Sequence, residues 1–276
     1  MFQKLTHIFI KILAIMPLAW IYFIASMMCF INQNVIKYRK NVIHRNIRFS
    51  FPHLNNRERE KIVNKFYIFM FELFAEIIKS IDLKKNDILK RVQINDIEII
   101  EKNISKKKSL ILICSHYQNW EWLFLRLSLI PNIKLAAAYK PLKNKYFNNL
   151  ICQIRSKFGA VLVPSKKWKY FIVNNKEKPY IFLFMSDQVP AKKSNGKRIQ
   201  FLNQSTLVDK GAERISEALK IDVVYSEIKK RKKGYYNINL KPLNSKDITK
   251  EHTYMLEKSI QKKPQYWLWS HNRWKR

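Results

Sequence analysis

Glycine is scarce in this 276-residue chain, four in all, and no Gly/Ser-rich linker, low-complexity tract or internal repeat is present. Nothing therefore divides the soluble part into separately folding pieces, and 47% hydrophobic residues supply enough apolar surface for one sizeable core. Cysteine is equally rare. Cys29, Cys114 and Cys152 lie far apart, with no C-x-x-C pair and no histidine at zinc-ligand spacing, which argues against a metal site and a disulfide framework. They read as reduced thiols; Cys114, two residues before His116, reads as a buried strand cysteine, with reactivity as the other reading. No G-x-S-x-G elbow occurs, so the usual strand-to-helix serine nucleophile is missing.

Acids are also few. Asp and Glu number 20 against 53 Lys and Arg, a formal charge of +33, which predicts attraction to anionic lipid, nucleic acid or an acidic protein. No RNA- or DNA-binding motif accompanies the charge, which leaves nucleic acid unsupported as a partner. The cations are spread along the whole chain, and Lys, Asn and Ile share AT-rich codons, so codon bias stands as a second source of the excess.

What the chain does have begins at its N-terminus. Ile12 to Ile31, ILAIMPLAWIYFIASMMCFI, carries no charge and reaches the about 20 residues needed to cross a hydrocarbon core. A signal peptide would have a shorter apolar region and a small-residue cleavage site; this run ends in Met27, Met28, Cys29, Phe30 and Ile31. It reads as an uncleaved anchor, residues 1–36, kinked at Pro17, followed by a single domain, residues 37–276. Lys37, Arg39, Lys40, Arg45 and Arg48 follow the run against Lys4 and Lys11 before it, which orients the large part to the cytoplasm. A helix lying in the interface is the alternative.

Residues 56–82 place Phe66, Phe69, Met70, Leu73, Phe74 and Ile77 at helical spacing, predicting an amphipathic helix. Val92 to Ile100 and Ser109 to Cys114 read as strands, the second apolar enough to be buried on both faces. Trp120 to Ile130 reads as a helix with Asn119 as N-cap and Pro131 beyond its end. Strands at Lys134 to Ala138, Ala160 to Val163, Tyr180 to Met185 and Val223 to Glu227 alternate with helices at Lys145 to Lys157 and Gly211 to Leu219. The pattern predicts an α/β layered fold, a sheet covered by helices.

The chemistry concentrates in SHYQNWEWL. His116 follows a strand and Glu121 falls in the first turn of the next helix. A continuous helix would put residues five apart about 140° apart, but from a turn the carboxylate can fold back on the imidazole, fix its tautomer and leave the other nitrogen free to take a proton. The bland reading is a core or surface histidine and an acid favoured by a helix N-terminus; spacing alone leaves both open.

The wider pattern is more specific. SHYQNWEWL, AAAYKPLKNKYFNNLICQIRSKFGAVLVP, FMSDQVP, FLNQSTLVDKGAERISEALKIDVVY and PQYWLWSHNRWK, in that order, resemble the lipid A biosynthesis acyltransferases, the lauroyl and myristoyl transferase family. The resemblance runs from the N-terminal segment to the last residues. It implies the α/β fold shared with glycerolphosphate acyltransferases behind one membrane helix. It also implies transfer of a fatty acyl group from acyl-carrier protein to a hydroxyl of a lipid A precursor at a bacterial inner membrane, with no metal or organic cofactor.

By the same resemblance His116 is the general base and Glu121 its orienting partner. Tyr117, Gln118, Asn119, Asp187 and Gln188 would line the acceptor pocket, and Tyr139, Lys140 and Arg155 would supply the block near phosphate or oxyanion. Asn119 reads equally as a helix cap, Arg155 as a surface arginine, and Asp187 and Gln188 as turn residues. Lys140 stands where many relatives carry Arg, which removes a bidentate contact. Trp267, Trp269 and Trp274 with Arg273 and Lys275 are expected to dock the tail or rest at a lipid interface. Two rivals remain: an acyltransferase acting on another glycolipid or phospholipid, and a non-enzymatic, basic, membrane-tethered binding protein.

Overall fold

Proline decides the first structural event. The computed structural model describes residues 2–190 and 196–275, and its first helix, α1 (Phe2–Ile15), stops just before Pro17. A second, α2 (Leu18–Ile31), starts just after it. Pro17 is extended, φ −53° and ψ 137°, so the uncharged run is broken rather than merely kinked. A π-helical turn, Asn32–Ile36, prolongs α2, and Leu18–Ile36 is the one helix among the described residues long and apolar enough to cross a membrane.

Next come α3 (Lys40–Ser50) and the long α4 (Asn56–Lys79). A reciprocal cap starts α4: Asn55 accepts from the Glu58 N–H and Glu58 accepts from the Asn55 N–H. Phe66, Phe69, Met70 and Leu73 are buried as the periodicity predicts, Ile77 is partly buried, and Phe74 points outward, 47% exposed. Ala75 packs with Ile21, Tyr22 and Ala25 of α2.

The layered part then unrolls as α5 (Lys85–Arg91), β1 (Val92–Ile94), α6 (Glu98–Ser105), β2 (Leu110–Cys114), α7 (Trp120–Leu127), β3 (Lys134–Tyr139), α8 (Lys145–Ser156), β4 (Val161–Pro164), α9 (Trp168–Asn175) and β5 (Tyr180–Met185). A small hairpin, β6 (Lys197–Phe201) and β7 (Gln204–Val208), precedes α10 (Gly211–Leu219), β8 (Asp222–Lys232), β9 (Tyr235–Leu243) and α11 (Ile248–Lys262). Seven strands form one mixed sheet in the order β1-β9-β8-β2-β5-β3-β4, parallel throughout except between β8 and β9.

The expected strand from Val92 to Ile100 is corrected: it ends at Ile94, and the rest enters α6. Ile97, Ile100 and Ile104 recur at helical spacing and pack on the core, so burial of one helix face wins over the apolar run's strand-like look.

Central β2 is apolar because it is covered on both sides. Leu110, Leu112 and Cys114 join a core with Ile88, Ile100, Trp122 and Ile154 of the flanking helices. Ile111 and Ile113 face the opposite core with Trp168, Ile172 and Ala212. A third cluster, built from α3, α4, Tyr117, Trp120, Phe201, Leu256, Trp267 and Trp269, closes off the site end of the molecule. The glycerolphosphate-acyltransferase-like expectation is met at the level of a mixed α/β layered fold with one long apolar N-terminal helix.

Candidate active site

Parallel register builds the site. Cys114, the last residue of β2, pairs with Met185, the last of β5. His116 and Asp187 each stand two positions further, in adjacent turns at the carboxyl end of the sheet, where open α/β sheets place their ligands. His116 Nδ1 lies 2.8 Å from Asp187 Oδ1, and Asp187 Oδ2 accepts from Trp267 Nε1 at 2.9 Å. Burial alone would push the Asp187 carboxyl up; the His116 charge and the hydrogen bonds from His116 and Trp267 outweigh it and hold the group at about 2. The carboxylate is thus an acceptor only, so Nδ1 carries the shared hydrogen and Nε2 is the nitrogen at which a proton is exchanged. The Gln188 amide nitrogen lies 3.2 Å from that Nε2. Trp120 meets the ring edge-on, centroids 5.1 Å apart.

Glu121 does not meet the imidazole by hydrogen bond, which corrects the expected pairing. Both of its oxygens are taken by Arg155, Nε to Oε2 at 3.0 Å and Nη2 to Oε1 at 2.5 Å, and Trp120 Nε1 adds a third contact at 3.2 Å. Burial would push this carboxyl up, but the guanidinium beside it, with a smaller contribution from His116, brings it below the ordinary carboxylate range. Arg155 is raised in turn by Glu121 despite its burial. The fork-to-fork geometry fixes the plane of the guanidinium at the end of α8.

The three residues between His116 and the helix turn into the protein and hold the turn. Tyr117 Oη donates to the carbonyls of Ser259 and Lys263, at 2.9 and 3.2 Å. Gln118 adopts φ 55°, and its side-chain carbonyl accepts from the Lys230 N–H. Asn119 caps α7 by accepting from Trp122 N at 2.8 Å and donates Nδ2 to Glu76 at 2.5 Å. All three are buried, so the cap reading of Asn119 is the one its contacts satisfy. Tyr139 ends β3 and Lys140 follows it; β5 separates this strand from β2. Tyr139 is half-buried, Lys140 is exposed, and among the described residues neither side chain has a hydrogen bond to a site residue. Cys114 is fully buried with its thiol pushed well up, an inert strand residue.

The C-terminal tail supplies what the sequence reading missed. Tyr117 bridges Trp267, the Gln118 N–H donates to the Tyr266 carbonyl at 2.8 Å, and the Leu268 N–H donates to the His116 carbonyl at 3.2 Å. The tail therefore pairs with the His116 turn like a short strand. His271 Nε2 accepts from Val189 N at 3.4 Å, and burial holds its imidazole down at about 4, so it stays neutral and buttresses the loop after Asp187. The tryptophans announced docking, but no spacing rule links residue 267 to residue 187.

A part-exposed imidazole oriented by one buried carboxylate, and a part-exposed guanidinium fixed by another, can take a proton from a hydroxyl beside a developing negative charge. Among curated proteins no relative matches the chain. The family model of the bacterial lipid A biosynthesis acyltransferases matches residues 2–276. That match spans nearly the whole length, and the chain belongs to this family of acyltransferases of lipid A-type biosynthesis.

Proposed function

We propose that the chain moves a fatty acyl group from an acyl-carrier-protein thioester to a hydroxyl of a lipid A precursor, with His116 as general base. The observation that carries this reading is the 2.8 Å contact between His116 Nδ1 and Asp187, which leaves Nε2 as the basic nitrogen. In the proposed step Nε2 takes the hydroxyl proton while the oxygen attacks the thioester carbonyl. The tetrahedral oxyanion collapses, the carbon–sulfur bond breaks, and the thiolate recovers the proton from the imidazolium. An ester and a free carrier thiol result. Asp187 orients the ring and stabilises its charged form, and Gln188 holds Nε2 until the acceptor hydroxyl arrives.

Arg155, aligned by Glu121, faces the negative charge of the oxyanion or of an acceptor phosphate. Tyr139 and Lys140 sit at the rim of the same sheet end and would meet only outlying parts of the acceptor. Tyr117, Gln118 and Asn119 shape the acceptor pocket from behind. No metal or organic cofactor enters the scheme.

The membrane supports the same reading. Trp20, Phe23, Met27, Met28, Phe30 and Ile31 point outward from α2, no acid occurs before Glu58, and Lys37, Arg39, Lys40, Arg45 and Arg48 follow the apolar helix. An apolar face beside cations suits a bilayer with anionic headgroups. Residues 1–36 thus anchor the enzyme, with 37–276 on the cytoplasmic face of a bacterial inner membrane. A carrier that is acidic as a class would be steered by the +33 charge.

Membranes containing the protein, incubated with radiolabelled tetra-acyl lipid A precursor and a panel of acyl-carrier proteins, should yield product heavier by one acyl chain. His116→Ala should lower the rate by about 10³-fold or more. No gain with any donor, in protein shown to be folded, would refute the lipid A assignment and direct the search to other glycolipid or phospholipid acceptors.

A further inference from the structure

One buried carboxylate behind the site takes no part in this chemistry. Glu76, on α4, is 1% exposed and forms no ion pair among the described residues. Its oxygens are filled by three donors: Tyr22 Oη at 2.5 Å, Asn119 Nδ2 at 2.5 Å and Tyr236 Oη at 2.7 Å. Its main-chain carbonyl accepts from Trp122 Nε1 at 3.1 Å. The residue therefore joins α2, α4, the first turn of α7 and β9 at a single point.

Burying a carboxylate without a contacting cation costs several kcal/mol unless hydrogen bonds compensate it, and an apolar side chain would fill the space more cheaply. What an apolar side chain lacks is an acceptor. Asn119 uses Oδ1 to cap α7, which obliges its Nδ2 to donate, and Glu76 is what it donates to. Without that acceptor the buried amide is unpaired and gains by rotating, which releases the cap. Asn119 lies three residues after His116 and two before Glu121, so a loosened cap moves the base and the holder of Arg155 together. Tyr22 brings the apolar N-terminal helix into the same grip.

We propose that Glu76 is a positioning residue for acyl transfer: through Asn119 it holds the His116–Glu121 turn in register, and through Tyr22 it makes that register depend on the seating of α2. The inference rests on His116 and Glu121 acting in the reaction proposed above.

Glu76→Gln tests it, because the amide keeps the shape but presents its own donor to a ring of donors. In full-length protein held in phospholipid vesicles, kcat should fall by about 10-fold or more with KM for donor and acceptor within about twofold. Tyr67→Phe is the control: it removes a buried hydroxyl on the same helix that donates to the Tyr38 carbonyl rather than to Glu76, and it should cost comparable stability while leaving kcat within about twofold. A loss of kcat that follows melting temperature equally in both variants, or full kcat in Glu76→Gln, overturns the proposal.

Should Glu76→Gln not fold, Tyr22→Phe keeps the carboxylate and should lower kcat by about threefold without moving KM; unchanged kcat there overturns the coupling to α2. A readout independent of turnover separates this inference from the reaction itself. The rate at which diethyl pyrocarbonate modifies His116, followed on its peptide by mass spectrometry, should change at least about threefold in Glu76→Gln and not in Tyr67→Phe. If wild-type protein transfers no acyl chain to any acceptor, the proposed reaction fails while this measurement still decides whether Glu76 controls the turn; identical rates in all three proteins overturn it.

Discussion

Two turns at the carboxyl end of the sheet, one after β2 and one after β5, each bring a buried carboxylate to the neighbourhood of His116, and they put it to different uses. Asp187 meets a titratable imidazole and an indole N–H. Glu121 meets a guanidinium that never loses its charge. Both carboxyls are buried and both are depressed, yet only Asp187 is placed to fix a tautomer and stabilise an imidazolium. Glu121 instead sets the plane of a permanent cation. A histidine and an acid at close spacing therefore do not by themselves define a dyad; the partner is whichever carboxylate the fold leaves unneutralised beside the ring.

Substitution at the two carboxylates breaks this symmetry. Asp187→Asn keeps the shape but favours the wrong tautomer, and should lower kcat by about 10²- to 10⁴-fold. Glu121→Gln leaves the imidazole contact intact and frees Arg155, so its effect should be smaller, about 10- to 10²-fold. A larger loss in Glu121→Gln than in Asp187→Asn, measured by acyl transfer under saturating donor, would reverse the assignment of the two acids. Trp267→Phe removes the donor to the far oxygen of Asp187 and should cost about three- to tenfold in kcat.

Acid sharpens the comparison further. His252 is fully buried and held down at about 4 by desolvation, and partly buried His271 behind Val189 is held down at about 4 by the same cause. Their folded values lie below the unfolded value, so the unfolded chain binds protons first, and stability falls as pH drops from about 6.5 to 4. For His252 the loss is on the order of 3 kcal/mol. Asp187, lowered to about 2, contributes above its unfolded value and loses that contribution only as pH falls below about 4. Urea midpoints should therefore decline first between pH 6.5 and 4, and His252→Asn should flatten that part of the curve; an unchanged slope would remove His252 as its source.

Much of the scaffold was legible because its signals are local. Apolar residues on both faces marked β2, Asn119 marked the start of α7, and Phe66, Phe69, Met70 and Leu73 marked the buried side of α4. Pro17 marked an interruption whose full break follows from its missing N–H and its extended ψ. Strand β9 and the β6–β7 hairpin were not anticipated. The half-buried asparagines of YYNINL dilute the apolar signal, and pairing with β8 and β1 supplies what local propensity does not.

The sequence by itself determined the segments: which runs are buried on two faces, where a helix is capped, where a membrane-suited helix stands, and that His116 lies at a strand end. Only the tertiary structure decided the partners. His116 and Asp187 are 71 positions apart, and what unites them is the in-register pairing of Cys114 with Met185. Glu121, five positions from the histidine, is claimed by an arginine 34 positions away. Hydrogen bonds and charge pairing act over a few ångströms in space and take no account of distance along the chain, so the acid that orients the ring is chosen by strand register rather than by motif spacing.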